Sequence, residues 1–334
     1  MLTVTNTDPA PISHVNVWPL GNELLVTWRG GGDVSVFVSD DPIDAGTDVR
    51  KPDRPGQVSV SRVGRPYVHL FDPGRGFTVA AERLVFMDGV RNFRDIGGYP
   101  TADGGHTRWG QVFRSARLDE TSDADLERIR MLGVTKVFDL RTQSEVDNNP
   151  NRLPDHVELV HMPMSSQVAM PKGLFERILD GDITSYTKVD MAHGYLRMLE
   201  SFTDYLSAMV QAVANGEKIL FHCAAGKDRT GITAMTMLAL AGVADSYVLD
   251  DYEMSAQHQP EGRIEHFSTE LSKAGRDPDM FDLDAMLGSP RPVMRMTLDG
   301  MRDRWKDHPG YFEHLGLDAA VRASAQEHLR FAQP

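Results

Sequence analysis

The chain has 334 residues, 41% hydrophobic and 25% charged, a balance typical of a globular protein with room for one large and one small domain. Its formal net charge of −13 argues against a general binder of nucleic acids or anionic membranes, because such proteins are normally basic. A single cysteine excludes an internal disulfide framework, so we expect a reducing compartment.

The first residues, MLTVTNTDPAPISH, lack the basic start and apolar core of a signal peptide. No apolar run reaches the roughly 20 residues that a membrane span needs. We therefore expect a cytoplasmic protein that does not insert stably into a membrane, with export without a recognisable signal left open.

Residues 1–87 alternate short β-favouring runs with turns rich in Gly, Pro and Asp, which predicts a small all-β module resembling a β-sandwich. The runs fall at residues 23–28, 34–38, 57–61, 67–71 and 77–80. Three roles stay open for this module: substrate docking, support of a lid, and stabilisation without a ligand.

Residues 88–334 alternate helical and strand patterns, which predicts an α/β domain with a mainly parallel sheet flanked by helices. Ser122 is predicted to cap a helix that runs to Leu132 and stops at Gly133. Strands are predicted at residues 134–140, 157–162 and 218–221.

One amphipathic helix is predicted before the last of these strands, because apolar residues there recur at spacings of three and four. They are Tyr195, Leu199, Phe202, Leu206, Met209 and Val213. A nearly all-apolar stretch at residues 232–241 predicts a buried central helix.

The string HCAAGKDRTG at residues 222–231 joins that strand to that helix and contains the only cysteine, Cys223. Successive backbone N–H groups there can curl into a nest that, with the helix dipole, binds a dianionic phosphate. Gly226 permits the curl, and Arg229 can grip two phosphate oxygens with its planar fork. The predicted substrate-binding residues are Ala224, Ala225, Gly226 and Lys227.

The positive environment of this loop should favour the thiolate of Cys223, which can then attack phosphorus directly. Thr230 is placed to donate a hydrogen bond to that sulfur. His222 is expected to orient the loop by hydrogen bonding rather than to act as a base. The histidines form no cluster with ligand spacing, so neither a metal nor another cofactor is expected.

The loop resembles the active-site signature of the cysteine-dependent protein tyrosine phosphatase superfamily. Its GKDRTG ending is similar to the bacterial and fungal branch with serine/threonine and sometimes phosphoinositide activity, which includes secreted phosphatases of mycobacteria and Listeria. NFRDIGGY at residues 92–99 and WGQVFRSAR at residues 109–117 resemble the opening of that family's catalytic domain. The resemblance covers about residue 88 to the end, and it implies that Arg94 and Asp95 buttress the site, although a turn ion pair of little weight is an alternative.

The general acid has three candidates, because the Trp-Pro-Asp string of many tyrosine phosphatases is absent. Asp228 comes first, since it lies beside Arg229 and close to the leaving oxygen. An alternative is that Asp228 only orients Arg229 or caps the helix. Asp139, at the end of a predicted strand, is second, and a loop aspartate such as Asp180 or Asp182 is third.

Two further features carry alternatives. Lys227 could bind a second anionic group, as in phosphoinositides, or could be a solvated lysine without a role; the non-basic Ala224 and Ala225 weaken the lipid interpretation. Residues 163–194 hold several apolar side chains, including Val168 and Met170. The resemblance implies a helical lid there, and an ordinary packed helix is the alternative.

The sequence thus predicts a protein tyrosine phosphatase that forms a cysteinyl-phosphate intermediate and acts on phosphoproteins. Phosphotyrosine is the first choice of substrate, followed by phosphoserine/threonine and phosphoinositide. A non-catalytic phosphate-binding protein is the rival hypothesis. Thiol redox chemistry such as arsenate reduction is poorly supported, because no second cysteine in the chain could resolve an oxidised intermediate.

Overall fold

The computed structural model describes residues 12–73, 76–164 and 173–331. Its N-terminal part consists of β strands in which residues that alternate along the chain are buried. They are β1 (Ser13–Leu20), β2 (Glu23–Arg29), β3 (Ser35–Ser39), β4 (Asp48–Arg50), β5 (Gln57–Ser61), β6 (Tyr67–Asp72) and β7 (Gly76–Ala80).

These strands form two antiparallel sheets, with the orders β1-β2-β5 and β4-β3-β6-β7. One buried apolar cluster joins the sheets, as in a sandwich. Its members include Leu24, Val26, Val58 and Val60 from the first sheet and Val36, Val68 and Leu70 from the second. The predicted all-β module is therefore confirmed. Strands β1 and β4 were not predicted; β4 is wholly exposed and carries no apolar alternation.

The central sheet of the following part has five strands in the order β12-β11-β13-β10-β8, all parallel except the edge strand β8. Ser115 of β10 and Asp139 of β11 both pair with His222 of β13. The carboxyl ends of these three neighbouring strands therefore meet where the loop of residues 223–227 begins. The strands are β8 (Arg94–Asp95), β10 (Val112–Ser115), β11 (Lys136–Asp139), β12 (Glu158–His161) and β13 (Ile219–His222), with a separate ladder of β9 (His106–Thr107) and β14 (Arg330–Phe331).

Helices surround this sheet, and α6 lies at the centre, with every residue from Thr230 to Leu240 buried. The predicted α/β class, mainly parallel sheet and buried central helix are confirmed. The helices are α1 (Asp123–Met131), α2 (Gln143–Asn148), α3 (Leu174–Asp180), α4 (Lys188–Ser201), α5 (Thr203–Ala214), α6 (Asp228–Leu240), α7 (Asp245–Glu253), α8 (Arg263–Lys273), α9 (Leu283–Leu287), α10 (Arg291–Trp305), α11 (His308–His314) and α12 (Ala319–Leu329), with 3₁₀ turns at Met254–His258 and Pro278–Met280.

Helix α1 begins and ends where the sequence predicts. The Ser122 side chain accepts a hydrogen bond from the Asp125 amide, and the Asp125 carboxylate accepts one from the Ser122 amide. Gly133 follows the helix with φ of +71°, the left-handed conformation that glycine adopts without strain.

The single amphipathic helix predicted across Phe202 is wrong, because the chain forms two helices, α4 and α5, that meet at this residue. Phe202 has φ of −113° and ψ of 34°, outside the helical region. Helix α4 packs chiefly against α10 and α5 against α12. The break lets each helix follow a different partner, while the apolar periodicity continues across it.

A smaller apolar cluster, separate from the main core of the α/β part, joins α3, α8 and α9. Its buried members are Ile178, Phe267, Leu271, Phe281, Met286 and Leu287. Of the predicted lid segment, residues 165–172, which include Val168 and Met170, lie outside the described residues. From Lys188 onward the segment belongs to α4, which packs in the main core.

No helix among residues 12–73, 76–164 and 173–331 combines the length and apolar character needed to cross a membrane.

Candidate active site

The phosphate loop, residues 223–227, connects the end of β13 to the start of α6. Gly226 has φ of +67°, and a Cβ atom there would lie 2.6 Å from the carbonyl oxygen of Ser115. Both the conformation and the close approach of the β10 backbone therefore require glycine at this position. The structure places the loop where the sequence predicts it.

The carbonyl groups of the loop are held from outside. The Gly226 oxygen accepts hydrogen bonds from Asn92 Nδ2 at 2.9 Å and from Arg114 Nη2 at 2.8 Å. The two preceding carbonyls are held by the backbone amide of Arg117, 3.2 Å from the Ala224 oxygen, and by Gln259 Nε2, 3.3 Å from the Ala225 oxygen.

The amides of the loop, in contrast, have no partners in the part of the chain that the structure describes. Within the described residues, none of the four N–H groups from Ala224 to Lys227 donates a hydrogen bond. Gly226 and Lys227 are buried, and a buried N–H group without an acceptor is costly. Consecutive free amides at a helix N-terminus form a site for an anion with several oxygens.

Cys223 lies at the start of this loop, and only 2% of its surface is exposed. Thr230 is fully buried, and its hydroxyl has no hydrogen-bond partner among the described residues. The hydroxyl is thus available to the sulfur or to a bound oxyanion, although the structure shows no bond between Thr230 and Cys223. The proposed role of Thr230 stays a prediction.

Arg229 is held in a bidentate pair with Glu145, with Nη1 2.6 Å and Nη2 2.8 Å from the carboxylate oxygens. Burial favours the neutral form of Arg229, but the hydrogen bonds to Glu145 outweigh it and raise the pKa of the guanidinium. Burial also raises the pKa of Glu145, but the bonds from Arg229 prevail and lower it to about 2. The pair is therefore ionised, and the fork of Arg229 is fixed in one plane.

Sequence reasoning missed Glu145. It is the third residue of α2 and forms a capping box with Thr142, whose amide lies 2.8 Å from the carboxylate. The Thr-x-x-Glu pattern predicts the start of a helix, but it does not predict the contact of Glu145 with Arg229.

Asp228 begins α6, and its side chain is 35% exposed. The hydroxyl of Tyr195 donates to Asp228 Oδ1 at 2.5 Å and lies 2.8 Å from the hydroxyl of Tyr252. Burial raises the pKa of Tyr195 well above its usual value, so this hydroxyl keeps its proton. Among the described residues, Asp228 forms no hydrogen bond with Arg229, and the N-terminus of α6 has no side-chain cap.

Lys227 is placed differently from both expectations. Its side chain is 1% exposed, so it is not a solvated lysine. Its Nζ donates to the carbonyl oxygens of Ala285 at 2.8 Å and Met286 at 2.9 Å, in α9. The same Nζ lies 3.4 Å from Asp228 Oδ1, so Lys227 connects the phosphate loop to α9 and pairs with the first residue of α6.

Arg94 and Asp95 are both buried, and among the described residues neither makes a side-chain hydrogen bond to the phosphate loop itself. Arg94 donates to Asn92, which in turn holds Gly226. Asp95 accepts bonds from the backbone near Trp109 and from Arg65 Nη2 at 2.8 Å. Asp95 therefore links the sandwich to the α/β part, and the structure does not bring it to the loop.

Behind the loop lies a buried charge cluster that the sequence did not predict. Asp251 pairs with Arg94, whose Nε lies 3.1 Å away, and with Arg114, and all three side chains are almost fully buried. Burial raises the pKa of Asp251, but the two guanidinium groups outweigh it and lower it far below its ordinary value. This cluster positions Asn92 and Arg114, the two donors to Gly226.

We expect Asp251→Asn to lower the free energy of unfolding by about 3–5 kcal/mol, because it leaves two buried guanidinium groups without their counter-charge. Urea unfolding measures the change. The neighbouring Asp250→Asn is the matched control, since Asp250 pairs with Arg291 at the exposed surface and should cost less than about 1 kcal/mol. Equal effects of the two substitutions would contradict the account of the cluster.

His222 and Asp139 lie under the loop. Burial lowers the pKa of His222 to about 4, so the imidazole is neutral near pH 7. Its Nε2 lies 3.7 Å from Asp139 Oδ1. Asp139 is held by Arg141 and by Asn151 Nδ2 at 2.7 Å. Burial raises its pKa, but the Arg141 bonds prevail and lower it to about 2, so Asp139 has no proton to donate near neutral pH.

The lowered pKa of Asp139 predicts an acid-dependent loss of stability. A carboxyl with a pKa of about 2 when folded and 3.8 when unfolded adds about 2 kcal/mol of stability above pH 4, and about half is lost by about pH 3. The stability difference between wild type and Asp139→Asn should therefore shrink by about 1 kcal/mol between about pH 6 and pH 3. The exposed Asp147→Asn should show no such trend in urea unfolding.

The part of the chain that matches a known protein family contains the site residues described above. Residues 85–330 match the model of a family described as the tyrosine phosphatase family. The triple specificity protein phosphatase PtpB of Mycobacterium tuberculosis is 30% identical over 272 residues, which are 70% of this chain and 95% of that protein.

Two other relatives match over shorter stretches. A protein of Cupriavidus necator, named as a candidate tyrosine-protein phosphatase, is 31% identical over 176 residues, 51% of this chain and 62% of that protein. A tyrosine-protein phosphatase of Nostoc commune is 32% identical over 152 residues, 45% of this chain and 49% of that protein. The chain thus spans about half to two thirds of these two relatives. From the family match over residues 85–330, the chain belongs to the tyrosine phosphatase family.

Proposed function

We propose that the chain hydrolyses phosphomonoesters through a cysteinyl-phosphate intermediate on Cys223, with phosphotyrosine in proteins as the preferred substrate. The observation that carries the proposal is the run of four amides at residues 224–227, directly after Cys223, that have no hydrogen-bond acceptor among the described residues, together with the guanidinium of Arg229 fixed by Glu145. The printed names of the relatives, tyrosine-protein phosphatase and triple specificity protein phosphatase, support this chemistry.

In the first step, the loop amides and Arg229 bind the three non-bridging phosphate oxygens. The sulfur of Cys223 attacks phosphorus, an S–P bond forms, and the P–O bond to the leaving group breaks. Asp228 gives its proton to the leaving oxygen. As the sulfur gives up its charge, the oxyanion is stabilised by fixed dipoles that need no rearrangement.

In the second step, water attacks phosphorus and the S–P bond breaks. Asp228, now a carboxylate, takes the proton of this water, and Cys223 leaves as a thiolate that Thr230 can stabilise. Inorganic phosphate is the product. No metal or other cofactor takes part in this scheme.

Asp228 is the preferred general acid for three reasons. It adjoins Arg229 in the chain, it is partly exposed where a leaving group can approach, and Tyr195 fixes its carboxylate. Asp139 is buried and ionised, which disfavours it. Asp180 and Asp182 are exposed at the end of α3. These features support Asp228 over its rivals.

Phosphotyrosine is preferred because Cys223 is almost fully buried, and a phenyl phosphate reaches a recessed sulfur more easily than the short side chain of phosphoserine. Phosphoserine/threonine comes second. Phosphoinositide comes last, since the ammonium of Lys227, the main feature in its favour, is bound to α9.

Three further proposals concern the surroundings of the site. The sandwich, residues 1–87, and the catalytic domain, residues 88–334, are proposed as separate domains. Within the predicted lid segment, residues 163–194, the described residues before α4, 173–187, are proposed to contribute to a cover over the site, with α3 packed against α8. A cytoplasmic location is proposed because a single cysteine allows no disulfide within the chain, as is usual in a reducing compartment.

Phosphate release from a phosphotyrosine peptide, a phosphoserine peptide and a phosphoinositide tests the proposal. We expect wild type to release phosphate fastest from the phosphotyrosine peptide. Cys223→Ser should be inactive on all three substrates. Asp228→Asn should lose about 10²–10⁴-fold, with a smaller loss on an aryl phosphate whose leaving group needs no proton. Asp182→Asn is the control and should retain activity. No release by wild type from any substrate would favour a phosphate-binding protein instead.

A further inference from the structure

Tyr195 carries a hydroxyl that the packing of its helix does not explain. Its ring belongs to the main apolar core and meets the ring of Tyr252 edge-on, with the ring centroids 6.1 Å apart. Phenylalanine would provide the same ring. The hydroxyl, in a side chain that is almost fully buried, lies 2.5 Å from Asp228 Oδ1 and 2.8 Å from the hydroxyl of Tyr252. A buried hydroxyl needs hydrogen-bond partners, and here one of them is the proposed general acid.

The direction of both hydrogen bonds can be assigned. Burial raises the pKa of Tyr195 and that of Tyr252 well above the usual value, so both hydroxyls keep their protons near pH 7. Each phenol has one proton to donate. Because Tyr195 donates its proton to Asp228 Oδ1, the bond between the two tyrosines is donated by Tyr252. The three side chains therefore form a chain of hydrogen bonds that runs from Tyr252 through Tyr195 to Asp228.

The two carboxyl oxygens of Asp228 have different surroundings. Oδ1 faces two donors, the Tyr195 hydroxyl and the Lys227 ammonium, whose Nζ lies 3.4 Å away. Within the described part of the chain, Oδ2 has no hydrogen-bond partner. An oxygen that faces donors acts as an acceptor, so a proton on this carboxyl resides on Oδ2. Oδ2 is then the atom that can give a proton to a leaving group or take one from water.

We propose that Tyr195 is a positioning residue for Asp228, with Tyr252 acting through it, so that the proton of the acid is carried on Oδ2 and directed at the leaving oxygen. The proposal rests on the proposed function and deepens it, because it adds two residues that set the orientation of the general acid without touching the substrate. The Asp228 side chain is 35% exposed, and without a partner it would be free to rotate. Orientation fixed in advance lowers the barrier to proton transfer.

Another tyrosine near the same carboxyl provides a matched control. Tyr186 lies just before α4, and its hydroxyl donates to the sulfur of Met191 at 3.9 Å rather than to Asp228. Burial and, to a lesser degree, the charge of Asp228 raise the pKa of Tyr186 to about 12. Tyr186 therefore senses the carboxylate without holding it, and the proposal assigns it no role in orienting the acid.

The test measures kcat/KM for a series of aryl phosphates whose phenols range from acidic to weakly acidic, because this quantity covers the steps up to release of the phenol. Wild type should vary little along the series. Tyr195→Phe should lose about 10- to 100-fold on the ester of tyrosine but only about twofold on that of the most acidic phenol, which leaves without a proton. Tyr252→Phe should lose about threefold on the ester of tyrosine, and Tyr186→Phe should stay within about twofold of wild type on every substrate.

Double substitutions separate positioning from a structural role. In an Asp228→Asn protein, Tyr195→Phe should cause no further loss, and in a Tyr195→Phe protein Tyr252→Phe should add nothing, because each residue acts only through the next. Additive losses in these pairs, or a loss in Tyr195→Phe that is equal for all phenols, would overturn the proposal.

The same experiment distinguishes the failure of this proposal from that of the proposed function. Full activity of Tyr195→Phe beside an impaired Asp228→Asn would overturn the positioning role and leave the proposed mechanism standing. If wild type released no phosphate, or if Asp228→Asn were unimpaired on the ester of tyrosine, the proposed function or its general acid would fail, and the positioning role would fail with it.

Discussion

Cys223→Ser should reduce phosphate release from a phosphotyrosine peptide by at least about 10⁴-fold, the largest effect expected of any single substitution in this chain. A serine hydroxyl keeps its proton at neutral pH, so the nucleophile is lost although the atom that replaces sulfur is only slightly smaller. The loop amides and Arg229 are unchanged, and binding should survive. Steady-state phosphate release measures the loss.

The control for this substitution is binding rather than activity. Anisotropy of a labelled phosphotyrosine peptide should give a Kd for Cys223→Ser of about micromolar order or tighter, which shows that the loop is intact. Activity within about tenfold of wild type would contradict a role for Cys223 as the nucleophile, since no other cysteine in the chain could replace it.

Arg229→Lys should lower kcat/KM by about 10²–10³-fold, the range seen when one oxyanion donor is removed. Lysine keeps the charge but loses the fork that grips two oxygens at once. In the structure Nη1 and Nη2 of Arg229 each hold one oxygen of Glu145, which fixes the plane of the guanidinium before substrate binds and leaves its remaining N–H groups for phosphate oxygens. The loss should appear in kcat as well as in KM.

Arg302→Lys is the matched control. Arg302 also pairs with carboxylates, those of Asp245 and Asp299, but it lies on α10 and is not part of the phosphate loop. It should leave kcat/KM within about twofold of wild type, as expected for a partly exposed ion pair. A comparable loss in both variants would mean that Arg229 acts through stability, which thermal unfolding would then reveal.

The sequence was sufficient to predict the phosphate loop because all its determinants are contiguous. A short buried strand, a glycine that must adopt positive φ and an apolar helix follow one another within residues 218–241. The same locality made Ser122 and Gly133 readable as helix boundaries. Alternation of apolar residues predicted most strands of the sandwich but missed β1 and β4, of which β4 has no buried face.

Apart from Arg94, which the resemblance implied, the residues that support the loop could not be predicted, because they come from distant segments and have no local signature. Asp251 and Tyr195 lie in α7 and α4, and only the folded chain brings them to Arg114 and Asp228. The partners of the Lys227 ammonium could not be predicted either, since they include backbone carbonyls of α9 that lie almost 60 residues later in the chain. The sequence alone does not indicate which partner a long side chain will contact.

The most direct test of the central claim is to trap the intermediate. Wild type and Asp228→Asn are mixed with a phosphotyrosine peptide that carries radioactive phosphate, quenched in acid within a turnover, digested and mapped. The mechanism predicts one labelled fragment, containing Cys223, in both proteins, with slower turnover of the label in Asp228→Asn because this residue also activates water. Phosphate release by wild type without any label on Cys223 would contradict the mechanism.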